Sequence, residues 1–597
     1  MTTKRFLLSA ALLSLTAVIM GLSACGTGSS VGGGNPPIIT VTVSPSAASV
    51  MAGDTQQFTA SVSNISNTAV TWQVSGVAGG NSTVGPISAA GLYSAPTTVP
   101  NPATVTVTAV SQADPSKSGS ATVTVTATLP SGNNALLNGQ YAFSWFGSDN
   151  TSGVFVAGGI FAADGNGHIT NGVEDGNFGD GGFLAKPFGG TYSIGADGRG
   201  TATLTMPHGQ AILKFAVVSS SLARFIEFDG TAAGKGVIEK QDPSAFSLTA
   251  LNGDYAFLLD GLDCAPGAPC AESMSATGRF TANAGAFSQG IVDVNHQSTV
   301  HLNQSLGGSY SVGSNGRGTA DFVTPEGTWN TVFYVISASK LRVVGMNIFP
   351  VLLGTAQRQS GGPFTNASLA GDYVFGLTVT SPVRPEPVIL VNAGWTHADG
   401  AGALSNGLFD VNGGAGDVLS SVGFQGTYSV ESNGRVTGAI ITSAATADWV
   451  FYLVSPRELY MMQVDPSTPS SPDLVTSGEV LQQQGGPFSS SSLVGDFAFF
   501  SSGKSSSSTG VDNTSGVISA DGAGGLPAIT LDEYLAGTLS ANQSLTGTYS
   551  VADTGRGIST ASLGSSTAHL YFVSPSEALL IGMDSTALFL GIAEKRP

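Results

Sequence analysis

Leu137-Asn138-Gly139-Gln140-Tyr141-Ala142-Phe143 is a turn leading into a strand, and it returns three times along the chain. The later versions are Leu251-Asn252-Gly253-Asp254-Tyr255-Ala256-Phe257, Leu369-Ala370-Gly371-Asp372-Tyr373-Val374-Phe375 and Leu493-Val494-Gly495-Asp496-Phe497-Ala498-Phe499. A second element, Gly190-Thr191-Tyr192-Ser193, recurs as Gly308-Ser309-Tyr310-Ser311, Gly426-Thr427-Tyr428-Ser429 and Gly547-Thr548-Tyr549-Ser550. A Gly-Arg pair follows each, and its arginines (Arg199, Arg317, Arg435 and Arg556) stand 118, 118 and 121 residues apart. Self-similarity at a fixed interval marks tandem copies of one structural unit. A propeller blade takes about 40 to 50 residues and cannot bury its own face. A unit more than twice that long can enclose its own core. The chain therefore reads as four beads in a row, at 136-242, 249-361, 368-485 and 492-597.

Inside each bead the signals are all β. The first copy offers eight short strands between Gln140 and Glu239, with Asp164-Gly165 and Asp197-Gly198 supplying hairpin turns. Sequential strands without a helical run predict an antiparallel meander. Closing it into a small up-and-down barrel removes the exposed edges; a β-sandwich is the alternative. The joints are short, and Gly362-Pro363-Phe364 and Gly486-Pro487-Phe488 recur at two of them. A Pro-Phe pair packed between beads would make the array a semi-rigid rod.

Ahead of the repeats, 38-129 alternates valine and threonine with turns every 8 to 12 residues, the pattern of a β-sandwich. The segments Val43-Ser44-Pro45, Ala52-Gly53-Asp54-Thr55-Gln56-Gln57-Phe58, Val70-Thr71-Trp72 and Gly91-Leu92-Tyr93-Ser94-Ala95-Pro96 carry a more specific likeness. This stretch resembles the bacterial immunoglobulin-like domains of group 2, whose members are stalks, spacers or adhesive modules on bacterial surfaces. Trp72 reads as a plug between sheets.

The first 24 residues read as an export signal. Lys4 and Arg5 precede an apolar run from Phe6 to Leu22, and Leu22-Ser23-Ala24-Cys25 ends it. That ending resembles the lipobox of bacterial lipoproteins, which implies acylation of Cys25 and cleavage just before it. Gly26 at the next position implies the outer membrane in that family. Residues 25-37 then form a flexible spacer.

Charged residues make up only 10% of the chain, and the formal net charge is −18. With no basic stripe to neutralise phosphates, nucleic acid is not a partner. Cys264 and Cys270 flank Ala-Pro-Gly-Ala-Pro, a turn that brings the chain back, and an exported context permits a disulfide between them.

Catalytic patterns are absent. The six histidines (His168, His208, His296, His301, His397 and His569) form neither a zinc spacing nor a set shared between copies. No cofactor is implied. Asp164-Gly165-Asn166-Gly167 has the outline of a calcium loop, but Ala401 and Ala523 replace the would-be ligand in later copies, so turn geometry explains it better. Arg199, Arg317, Arg435 and Arg556 serve either as anion clamps or as structural contacts with acidic neighbours at the barrel rim.

These readings describe a non-enzymatic, lipid-anchored surface protein that holds its beads out for multivalent contact with a glycan or a surface protein. Two alternatives stand beside it. One is an envelope polysaccharide hydrolase with its site in one diverged repeat. The other is a carrier of a small hydrophobic ligand, which requires a hollow barrel.

Overall fold

The computed structural model describes residues 39–597 except 54, 127–131, 150–152, 179–181, 207–208, 231, 264–271, 297–298, 348–349, 381–387, 415–417, 466–474, 506–510, 536, 562–566 and 586. The chain divides into two compact units, 1–128 and 129–597.

In the first unit, a five-stranded sheet runs in the order Ala47–Met51, Ser118–Thr126, Thr104–Ser111, Val70–Val74, Val77–Ala78. Two-stranded ladders, Thr40–Ser44 with Thr59–Ser63 and Thr55–Gln57 with Leu92–Ser94, complete the main framework. Val105, Val107, Val123 and Val125 alternate with threonines and point into one core, together with Trp72, Phe58 and Tyr93. Period-two patterning places the apolar set on one face of each strand.

The second unit holds four closed eight-stranded antiparallel barrels. They run from Asn138–Asp149 to Ala232–Lys240, from Gly253–Asp263 to Val351–Arg358, from Ala370–Thr380 to Val475–Gln482, and from Val494–Ser505 to Ala587–Lys595. In each, the last strand returns to pair with the first. The barrel, not the sandwich, is the architecture of the repeats, and no edge strand remains to be covered.

The recurring motifs turn out to be the parts that seal one end of each barrel. In the first, third and fourth barrels a short 3-10 turn crosses that end and delivers a leucine into the interior (Leu137, Leu369, Leu493); in the second the 3-10 turn, Pro243–Ala245, lies farther back and an ordinary turn at 248–250 delivers Leu251. The tyrosine of the second motif donates to the carbonyl of that leucine. Tyr192, Tyr310, Tyr428 and Tyr549 do so at 2.6, 2.8, 2.8 and 2.7 Å. Tyr141 and Tyr373 each donate to a loop carbonyl across the same rim, at Ser220 and Pro456, both at 2.8 Å. Tyr255 does the same at Ala338. Phe497 keeps the buried ring and forgoes the bond. Phe364 and Phe488 belong to these seals: each is buried in the core of its own barrel. They do not pack one bead against the next, as a rod would need.

The four barrels form a ring, and this overturns the row of beads. Each barrel has its own core, but each is also apolar on part of its outside. Val154, Val156 and Ile160 of the first pack against Val332, Tyr334 and Val344 of the second. Ala256 and Leu258 of the second meet Tyr452 and Tyr460 of the third. Val374, Val391 and Ala393 of the third meet Tyr571 and Ile581 of the fourth. Ala498 of the fourth then meets Ala216 and Val218 of the first. The residue after each last strand latches onto the next barrel. Gln241, Gln359 and Gln483 donate to the carbonyls of Val335, Leu453 and Phe572 at 2.8, 2.7 and 2.7 Å. Their counterpart Arg596 donates to the carbonyl of Val217 at 3.1 Å, back on the first barrel.

Closure fixes the dimensions in solution. Small-angle X-ray scattering from residues 129–597 is expected to give a radius of gyration of about 23 Å, the value for a compact body of this length. Four beads in line would exceed roughly 30 Å, and a value in that range would refute the ring.

Candidate functional site

The Gly-Arg motif lies at the barrel junctions. Gly198, Gly316, Gly434 and Gly555 have φ between 75° and 90°, a turn that glycine takes without strain and that aims the following arginine away from its own barrel. Arg317 makes a two-pronged pair with Asp175 of the preceding barrel, at 2.7 and 2.6 Å. Arg435 does the same with Asp293 (2.8 and 2.8 Å), and Arg556 with Asp410 (3.1 and 2.9 Å). Arg199 closes the circle on Asp532 with a single bond at 3.0 Å.

Each aspartate is buried and held from several sides. Its second acceptor position takes the backbone N–H of Ala185, Asn303, Ser421 or Asn542, at 2.7 to 2.8 Å. Those four residues have φ near 50° to 58° and sit at a register shift in the strand pairing. Tyr334, Tyr452 and Tyr571 donate their hydroxyls to the same carboxylates at 2.7, 2.5 and 2.6 Å. Burial, reinforced by the neighbouring carboxylate, pushes these phenols well above their ordinary range. At the closing junction the tyrosine position is Ala216. Burial opposes ionisation of Asp410, but hydrogen bonds from His569, Arg556 and Tyr571 hold its carboxyl well below the usual range. Such closely paired arginines are structural contacts between barrels.

Near the meeting of all four barrels, Glu239 accepts from Lys340 (2.7 Å) and Arg342 (2.5 Å), while Arg224 pairs with Glu594 at 2.5 Å. Gln357 bonds both Glu458 and Tyr460 of the third barrel. Burial pushes Glu458 up to about 7, with Glu479 adding to it.

The other sequence candidates resolve as follows. Asp164, Asp399 and Asp521 accept backbone N–H groups of their own turns, as Asx turns do. No group of three or more His, Cys, Asp or Glu among the described residues could hold a metal ion. His168, His296, His301, His397 and His569 each stand beside a carboxylate, at Asp164, Asp263, Glu326, Asp372 and Asp410. Cys25 and His208 lie outside the described residues. The expected Cys264–Cys270 bond needs correction: no disulfide occurs among the described residues, and both cysteines lie outside them.

The interiors separate the copies. The first barrel is filled by rings, with Trp145 against Phe155 and Phe225 (5.6 and 5.7 Å) and Phe143 against Phe188 (5.8 Å). The second is filled by Phe257, Phe280, Phe287 and Phe322. The third leaves a wholly apolar gap of about 50 Å³. The fourth contains a cavity of about 390 Å³. Strand register explains the difference. Where the other copies place Trp145, Leu259 and Leu377, the fourth has Ser501. Phe215, Phe333 and Phe451 become Leu570, and Leu213, Thr331 and Trp449 become Ala568. A cavity in this size range is that of a small-molecule site.

Its walls are apolar near the sealed end, where Leu493, Phe497 and Leu526 lie, and polar toward the other, where Asp512, Glu533 and Gln543 line it. Burial pushes Asp512 up to about 7, with Glu533 as the second cause, and burial also raises Glu533. Position-by-position comparison of the four copies would have found this site in the sequence, once the inward positions were known.

No known protein family and no curated protein matches the chain. Among solved structures, it is similar to two mutants of the vaccine antigen transferrin binding protein B from Haemophilus parasuis Hp5. The single mutant shows 10% identity and a TM-score of 0.18, over 58% of this chain and 76% of that one. The double mutant shows 10% and 0.17, over 57% and 74%. A superposition this loose transfers no activity. No helix among the described residues is long and apolar enough to cross a membrane.

Two outcomes follow from this geometry. Asp293→Ala leaves Arg435 and Tyr452 buried without their acceptor, and is expected to cost about 3–5 kcal/mol in urea unfolding; a loss below about 1 kcal/mol would mean that the junction is not held by this pair. The raised acid Asp512 binds a proton more tightly in the folded state. Its stabilising contribution is present at acidic pH and is lost as pH rises from about 4 toward about 7. Asp512→Asn is therefore expected to raise the melting temperature at pH 8 and to leave it unchanged at pH 3.

Proposed function

We propose that the chain is an exported, lipid-anchored, non-enzymatic binding protein whose fourth barrel holds a small, largely apolar ligand. The observation that carries this reading is the 390 Å³ cavity in one barrel of four that otherwise share their seals and junctions. The volume is that of roughly a dozen water-sized groups. The basic, apolar and Leu22-Ser23-Ala24-Cys25 segments support export and acylation at Cys25, with the outer membrane as the destination. The segments around Phe58, Trp72 and Tyr93, all buried in one core, support a group-2 immunoglobulin-like stalk for 38-129.

The ring bears on the choice between readings. Multivalent contact needs similar sites presented separately, whereas here the copies bury their flanks against one another and differ inside. One compartment supported by two filled barrels and one nearly filled fits that asymmetry better.

Calorimetric titration of the full chain with octan-1-ol, a neutral chain short enough for the space, is expected to show one saturable site. Ser501→Trp restores the side chain that the first barrel carries there and is expected to abolish the binding while the circular dichroism spectrum is kept. Undiminished binding by a folded Ser501→Trp protein would remove the cavity from consideration.

A further inference from the structure

We propose that the ligand of the fourth barrel is a cationic amphiphile, with its apolar body in the sealed end and a protonated amine between Asp512 and Glu533. This rests on the reading of that barrel as a ligand compartment and goes further, naming the chemistry of the head group.

The two carboxyls arrive together with the cavity. In strand register Asp512 takes the place of Phe155, Met274 and Leu390, and Glu533 takes that of Gly176, Val294 and Val411. Loss of volume alone would leave an apolar void like the small one in the third barrel. Here, an apolar end is combined with an acidic one. The two acids lie on neighbouring strands, Asp512 opposite Leu535 and Glu533 opposite Thr514. That is the diagonal relation, which spaces side chains by about 7–8 Å on one face. One ammonium standing between them can donate to both.

The site is also short of positive charge. Among the described residues, no lysine, arginine or histidine lines the cavity. The hydrogen bonds available to the acids come from neutral groups, Thr514 for Asp512 and Gln543 for Glu533. One oxygen of Asp512, Oδ1, is buried and accepts no hydrogen bond. A buried carboxyl without a charged partner is costly and stays protonated until a cation arrives. An ammonium supplies the missing charge and donors at once, and a charge-assisted bond of this kind is stronger than a neutral one. A fatty acid would bring a carboxylate into the same space without supplying a positive charge, so it would bury an uncompensated anion and is disfavoured.

Three ligands with the same eight-carbon chain separate the head group from the cavity. Octylamine, octan-1-ol and octanoate are titrated into the full chain by calorimetry at pH 7. Octylamine is expected to bind at least roughly tenfold more tightly than octan-1-ol, with octanoate weakest. Asp512→Asn combined with Glu533→Gln is expected to erase the preference for the amine and to keep the alcohol's affinity. If the alcohol binds and the amine binds no better, the head-group inference falls while the compartment stands. If Ser501→Trp leaves octylamine binding intact, the amine binds elsewhere and the inference falls as well. If none of the three binds, the compartment itself is refuted. The comparison within the wild-type chain decides the matter even if a variant does not fold.

Discussion

A carboxylate removed from water is tolerated only when its acceptor positions are filled, and in this ring that requirement is met across a junction rather than within a domain. Asp175, Asp293 and Asp410 each take two bonds from the arginine of the next barrel, one from a tyrosine of that barrel, and one from a backbone N–H of their own bulged strand. The bulge turns a backbone donor toward the acid, and the glycine turn aims the arginine. Neither feature makes sense for an isolated bead. Each is a local distortion that pays off only when a second copy is docked. Without the neighbour, every barrel would present a buried-grade acid and an apolar flank to solvent.

Much of this was legible in the sequence, for a physical reason. Period-two alternation and glycine turns are local, so the four copies, their strands and their all-β class could be read from residues such as Tyr141, Tyr192 and Gly198. Closure into barrels followed from the cost of exposed edges. The ring was not legible in the same way. Asp293 sits in Val292-Asp293-Val294-Asn295, and a lone acid in an apolar strand looks like a solvent-facing position. Its register with Asp175, Asp410 and Asp532 was visible, but only a partner in space gives that recurrence a meaning. The Pro-Phe motif misled for the converse reason. Its place between copies suggested a joint, whereas Phe364 and Phe488 fold back to seal their own interiors.

The candidate site was less legible still. Ser501, Ala568 and Leu570 are ordinary residues in a serine- and alanine-rich chain. They become informative only beside Trp145, Trp449 and Phe215, after the inward positions are known. Asp512 and Glu533 add no motif of their own. The ring helps to explain how such a loss of filling is tolerated. The fourth barrel still has its seal at Leu493 and Tyr549, and it is braced on both flanks, by Tyr571 and Ile581 on one side and Ala498 on the other. Its walls do not depend on their interior alone.

Head-to-tail docking of identical faces has a hazard that two-fold pairing lacks: unless the turn per step closes, the faces continue from molecule to molecule. Three linked copies would leave one naked arginine side and one naked aspartate side, ready to grow a filament. The bond from Arg199 to Asp532 consumes the last of each within one chain. It is the plainest of the four junctions, with one prong and Ala216 in the tyrosine's place, yet it leaves neither docking face open to a second molecule.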